Sequence, residues 1–156
     1  MPSVGPTPAT HLSAGVAVVR RDAAAGWLFL LLRVYRSWDF PKGMVEEDED
    51  CREAAQREVW EETSLSDLRF NWGDAYKETL PYSGGKVSRY YIAESLGDAV
   101  RLPISEELGR PEHDEFRWVS FDGAEDVLPP RLAIVLDWAR GLIDDSEPEA
   151  PPVTES

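Results

Sequence analysis

The sequence predicts an α/β chain of the α+β kind, a mixed β-sheet sandwiched between helices as an α/β/α sandwich. Two apolar runs, "LSAGVAVV" at 12–19 and "WLFLLLRV" at 27–34, have the length of strands and a turn signal between them. Two later segments read as helices, one beginning near 51 behind a capping signal and one near 130 with apolar residues at helical spacing. Strands interleaved with a few helices bury their apolar faces best as a sheet covered by those helices.

Taken in order, residues 1–10, rich in Pro, Ser and Thr, read as a tail that cannot bury enough apolar surface to order itself. The folded domain is expected to span 11–143. The first strand ends in a turn near "RDAAAG", and the second is apolar almost throughout, as suits a central strand covered on both faces. "SWDFPKGMVEEDED" at 37–50 reads as a loop punctuated by Pro41 and Gly43. Asp50 with Glu53 three residues on forms a capping-box signal, so a helix is expected from there to about Thr63, with Ala55, Val59 and Cys51 on its packing side. Segments at 68–80 and 86–95 read as strands. "GRPEHDE" at 109–115 is a polar loop before a short strand, "FRWVSF" at 116–121. The last helix, about 130–143, sets Leu132, Val135, Leu136, Trp138, Ala139 and Leu142 at helical spacing. Residues 144–156, "DDSEPEAPPVTES", read as an acidic, Pro-rich tail.

The bulk numbers narrow the function classes. At 156 residues, with 42% hydrophobic side chains and six Trp, the chain can build one proper core. Its longest apolar run, "WLFLLL", is too short to span a bilayer, and "MPSVGPTPAT" lacks the basic start of a secretory signal. With one cysteine, Cys51, no internal disulfide is possible, which fits a cytoplasmic location. The net charge of −14 disfavours charge-driven binding to nucleic acid or anionic membrane. A polyanionic small molecule stays open as a partner, because divalent ions held by carboxylates invert the local field.

The stretch that carries chemistry is "REVWEETS" at 57–64. On a helix, Glu58, Glu61 and Glu62 share one face, and like charges at that spacing repel. Arg57 answers part of that charge, and a divalent cation would answer it better. A solvated acidic face is the alternative until the wider spacing is counted. From Gly43 there are five residues to Glu49, then seven to Arg57-Glu58-Val59-Trp60-Glu61-Glu62-Thr63-Ser64-Leu65. This resembles the Nudix hydrolase signature, matching about eight of nine defined positions, with Ser64 where the pattern has Gly.

The resemblance implies the Nudix fold and hydrolysis of a nucleoside diphosphate linked to another moiety, with Mg²⁺ or alternatively Mn²⁺. It implies Glu58 and Glu62 as metal ligands assisted by Glu61, the Gly43 carbonyl beside them, Arg57 holding the glutamates, and Glu49 fastening the loop to the helix. A further ligand or base is expected from "RPEHDEFRW", with Glu112 ahead of Glu115, and with His113 as a surface or positioning residue. "FPKG" at 40–43, "YKETLPY" at 76–82, "GKVSRYYIAE" at 85–94 and "EHDEFRWVSF" at 112–121 resemble the asymmetric diadenosine tetraphosphate hydrolases, although Met44 replaces their usual His. That implies cleavage to ATP and AMP, with Lys42, Lys77 and Lys86 on the phosphates. Tyr82 and Tyr90 would sandwich a base; since Tyr90 alternates with Tyr91 along a strand, one of the pair should face the core. Inositol pyrophosphates and RNA 5′ ends are alternative substrates of related members. A nucleotide-sensing module without catalysis is the alternative from another class.

Overall fold

The computed structural model describes residues 11–97 and 99–146. The elements run β1 (Leu12–Asp22), β2 (Gly26–Val34), β3 (Ser37–Asp39), β4 (Lys42–Met44), α1 (Cys51–Thr63), β5 (Leu68–Arg69), β6 (Tyr76–Glu78) and β7 (Val87–Ser95). They continue with β8 (Ile104–Ser105), β9 (Arg110–Pro111), β10 (Glu115–Val119), α2 (Phe121–Val127), a 3₁₀ turn (Pro130–Leu132) and α3 (Ala133–Ser146). The main sheet follows the order β10-β2-β1-β7-β5, with β3 on β2, β4 on β1 and β6 on β7. Among the described residues only β1 and β7 pair in parallel, from Leu12↔Val87 to Val19↔Glu94; the remaining pairs are antiparallel.

Alternation along the strands creates two cores. Ala17, Val19, Phe29, Leu31, Tyr90 and Ile92 point to one face and meet Leu132, Val135, Leu136 and Ala139 of the C-terminal helical segment. Ala14, Val16, Val18, Leu30, Leu32, Tyr91 and Ala93 point to the other and meet Ala54, Ala55 and Val59 of α1. The apolar run of β2 follows from this, since Phe29 to Leu32 are all buried, on alternating sides. Each such side chain contributes roughly 1.5–3 kcal/mol on burial. The expected α/β/α sandwich is the fold observed.

Several boundaries differ from the sequence expectation. The 37–50 stretch is not all loop: β3 and β4 fold back onto β2 and β1, because the Pro41 carbonyl docks on β1, accepting from the Val16 N–H at 3.1 Å. Gly15 makes that approach possible, since a Cβ there would sit 2.2 Å from the Pro41 oxygen. The 68–80 segment holds two short strands with a turn between them. A helix, α2, occupies 121–127, where only the end of a strand was expected; Ser120 caps it by accepting from the Gly123 N–H. α3 continues to Ser146, so its last turn takes residues 144–146 from the expected tail. Residues 1–10 and 147–156, the rest of the expected tails, lie outside the described residues. No described helix is long and apolar enough to cross a membrane.

α1 begins as read: Asp50 accepts from the Arg52 and Glu53 N–H groups. It ends on Ser64, at φ 67°, whose N–H returns to the Trp60 carbonyl. A side chain in this left-handed region costs about 1–2 kcal/mol, and glycine gives back only part of that through its looser unfolded state. Ser64→Gly is therefore expected to stabilise the fold by about 0.5–1 kcal/mol and raise Tm by roughly 1–4 °C. Thermal unfolding followed by circular dichroism checks it, and an unchanged or lower Tm would show that the hydroxyl contact to the Arg101 carbonyl, 3.4 Å away, outweighs the strain.

Candidate active site

The carboxylate face of α1 is organised by one guanidinium. Arg57 Nε and Nη2 bind the two oxygens of Glu49 at 2.8 and 3.0 Å. Nη1 donates to Glu58 at 2.9 Å and to Glu61 at 3.1 Å, and Nη2 also reaches the Met44 carbonyl at 3.0 Å. A planar fork suits this bidentate use. Glu49 in turn accepts from the Glu46 N–H, so the loop before α1 is tied to the helix through one side chain. Its Arg57 hydrogen bonds hold the Glu49 carboxyl below the usual carboxylate range, while Glu49 above all raises the Arg57 guanidinium further.

β4 lies across this helix, with Gly43 opposite Ala14 of β1. The Glu58 carboxylate fills the space a side chain at Gly43 would need; a Cβ there would stand 2.1 Å from Glu58 Oε1. Next to it, the Lys42 N–H donates to Glu62 at 3.1 Å. Glu62 is only 5% exposed. Burial, reinforced by Glu58 and Glu112, pushes its carboxyl well above the ordinary range. Burial also raises Glu58, with Arg57 opposing and Glu61 and Glu112 adding to the rise. Glu61 is exposed and turned toward Arg57. Among the described residues, neither Glu62 nor Glu112 has a salt-bridging cation.

Glu112 arrives from a distant loop. The Asp114 N–H bonds the Arg33 carbonyl at 2.7 Å, and the Asp114 carboxylate accepts from the Tyr35 N–H at 2.9 Å. Thus pinned, the loop brings Glu112 and His113 to Glu62, with one ligand atom from each lying within 4.8 Å of the others. This revises the expectation for His113, which is half-buried beside the carboxylates rather than a plain surface residue. Its burial and the nearby Lys42 lower its pKa to about 4, so the imidazole is neutral with a free lone pair. Glu115, the second choice for a base, is instead held in β10 by Arg33 at 3.0 Å and Arg117 at 2.7 Å, and those bonds lower its pKa.

The residues expected to hold substrate divide into two groups. Lys42 stands at the cluster's edge, its Nζ 3.9 Å from Asp39. Lys77 shares a sheet row with it through the pairs Lys77↔Tyr90, Tyr90↔Gly15 and Gly15↔Lys42. Lys86 is exposed, near the tip of the hairpin bridged by Tyr82 and Lys86. Tyr82 is half-buried, bonded to Ser88 at 2.7 Å, with the Arg131 guanidinium 4.4 Å from its ring centre. Tyr90 does not fit the expected base sandwich. It is wholly buried, edge-on to Phe40, and donates to Asp39 at 2.7 Å, so no face of its ring is free to stack. Both tyrosines of the alternating pair are buried, because helices cover both faces of β7. Asp39 and Arg131, joined at 3.0 Å, were not singled out from the sequence. They link β3 to the 3₁₀ turn only in three dimensions, a pairing no local pattern signals.

Buried Glu62 and exposed Glu112, neither paired with a cation, together with a neutral imidazole and a glycine cradle, make a donor set suited to a divalent cation and its waters. The NUDIX domain family model matches residues 9–139. RNA pyrophosphohydrolase of Haemophilus ducreyi is 31% identical over 102 residues, 54% of this chain and 50% of that one. The Xylella fastidiosa protein of the same description is 30% identical over 122 residues, 69% of this chain and 62% of that one. The chain thus spans about half the length of the first curated relatives it matches. In fold it resembles the solved C. elegans Ap4A hydrolase in a binary complex, with TM-score 0.72, 24% identity, and coverage of 85% of this chain and 98% of that one.

The lowered His113 pKa has a direct readout. As pH falls below 6.5 the unfolded chain takes up a proton there, whereas the folded one waits until about 4, so stability declines across that window. In the metal-free protein, the His113 ring resonances, assigned with His113→Gln, should stay fixed from pH 8 to about 5.5. A midpoint near 6.5 would place the ring in water instead.

Proposed function

The chain belongs to the NUDIX domain family, and from that premise we propose that it is a Mg²⁺-dependent pyrophosphohydrolase, with Mn²⁺ as a substitute, acting on dinucleoside polyphosphates. The substrate we assign is diadenosine tetraphosphate, split asymmetrically to ATP and AMP. One observation carries the reading: Glu62 of α1 meets Glu112 and His113 from a loop some fifty residues away, with Glu58 near enough to raise Glu62, while Arg57 is already committed to Glu49, Glu58, Glu61 and the Met44 carbonyl. Carboxylates concentrated this way repel unless a cation joins them.

Glu58, Glu62 and Glu112 would hold the ion, with the Gly43 carbonyl, exposed Glu61 and the His113 lone pair beside them. A bound divalent cation supplies charge for the pyrophosphate oxygens and acidifies a water. The protein's own part is positional. Arg57 fixes the directions of Glu58 and Glu61, and Gly43 leaves room for the former. Glu112 accepts the proton of the attacking water as oxygen bonds to phosphorus and the bridging P–O bond breaks toward the departing phosphate. Lys42, Lys77 and Lys86 meet phosphate oxygens as point charges, and Tyr82 offers the ring face not covered by Arg131 to a base. Tyr90 takes no base. Through Asp39 it supports Lys42 and Arg131. A cytoplasmic setting belongs to the same reading.

Curated relatives described as RNA pyrophosphohydrolases support a second reading, removal of pyrophosphate from RNA 5′ ends, and one assay separates the two. With Mg²⁺, diadenosine tetraphosphate should give equimolar ATP and AMP, and a chelator should stop it. Two ADP, or no turnover, would overturn the assignment; faster pyrophosphate release from RNA would transfer it to RNA. Glu58→Gln should lower kcat by about 10²–10⁴-fold with circular dichroism unchanged. If instead activity survives and nucleotide still binds, the chain is a sensing module.

A further inference from the structure

A cleft of about 660 Å³ opens between the end of α1 and the β8–β9 hairpin. Its apolar lining includes Trp60 and Ile104, which are 53% and 69% exposed. Its acidic lining is Glu106 and Glu107 from the hairpin, with Glu61 and Glu112 on the side shared with the carboxylate cluster. Trp60 occupies the position of "REVWEE" that the signature leaves open, so metal chemistry does not require an indole there.

The lining selects its occupant. An exposed indole face stacks a flat ring. The carboxylates, together with the negative C-terminal end of α1, repel phosphate and accept N–H donors. A nucleobase answers both demands. Guanine does so better than adenine, because its N1–H and N2–H₂ lie side by side and match the two oxygens of one carboxylate. Because Glu61 and Glu112 border both regions, a molecule with its phosphates at the cluster reaches the cleft with its far end.

We propose that this cleft is a subsite for the distal purine of a dinucleoside polyphosphate, stacked on Trp60 and read by Glu106 and Glu107 with guanine preferred. Its place beside the phosphates rests on the function proposed above, whereas base binding itself can be tested alone. Wild type should hydrolyse diadenosine tetraphosphate and show a lower KM for the mixed adenosine–guanosine tetraphosphate, in which only one base differs. Trp60→Ala should raise the KM ratio of dinucleoside tetraphosphate to adenosine tetraphosphate, which has no second base, about tenfold, and Trp60→Phe should restore much of it. The paired changes Glu106→Gln and Glu107→Gln should erase the guanine preference. A ratio unmoved by Trp60→Ala overturns the subsite. If no dinucleoside is hydrolysed, the function fails, and saturation-transfer NMR with free guanosine decides the subsite separately. Signal from wild type but not from Trp60→Ala upholds it, and equal or absent signal from both rejects it.

Discussion

Arg57 is the contact on which the site depends. Its guanidinium spends five hydrogen bonds on Glu49, Glu58, Glu61 and the Met44 carbonyl, welding the loop before α1 to the helix face. Lysine could supply the charge but not the planar fork that meets both Glu49 oxygens while still reaching Glu58. Because Arg57 is fully engaged, the charge on Glu62 and Glu112 is left for something else to balance. The same residue that orders the cluster also keeps it electrostatically incomplete.

Two close approaches make this geometry possible. Gly15 admits the Pro41 carbonyl onto β1, which sets where β4 runs, and Gly43 then leaves its side-chain space to the Glu58 carboxylate. The cluster is therefore a product of the sheet's edges as much as of the helix. Asp39 plays a comparable part at the other face. Burial raises its carboxyl, opposed by Lys42, Tyr90 and Arg131, and the three partners tie β3, β4, β7 and the 3₁₀ turn together.

The fold and the helix face were legible because both rest on local periodicity. β1 and β2 carry continuous apolar runs of strand length, α1 spaces its apolar residues every third to fourth position, and Asp50 announces the helix start. What the sequence did not disclose was set by contacts between distant segments. Tyr90 and Tyr91 alternate as expected, yet both are buried, since α1 covers one face of β7 and α3 the other. His113 looked like an ordinary loop residue until the Asp114 anchors turned it toward Glu62. Glu115 stood second to Glu112 as a base, and strand pairing places it opposite Arg33. α2 is short, and its N-cap, Ser120, lies in a stretch, "FRWVSF", whose aromatic-rich composition also suits a strand.

The parallel pairing of β1 with β7 has a kinetic side. Its partners lie about 75 residues apart, and everything that builds the carboxylate helix falls between them. Closing so long a loop is entropically costly and slow, whereas the β1–β2 hairpin and α1 need only neighbours in sequence. A chain emerging from synthesis can thus lay α1 against β1 before β7 and the loop bearing Glu112 exist. The glutamates of α1 gather first, and Glu112 joins them only when the fold is nearly complete.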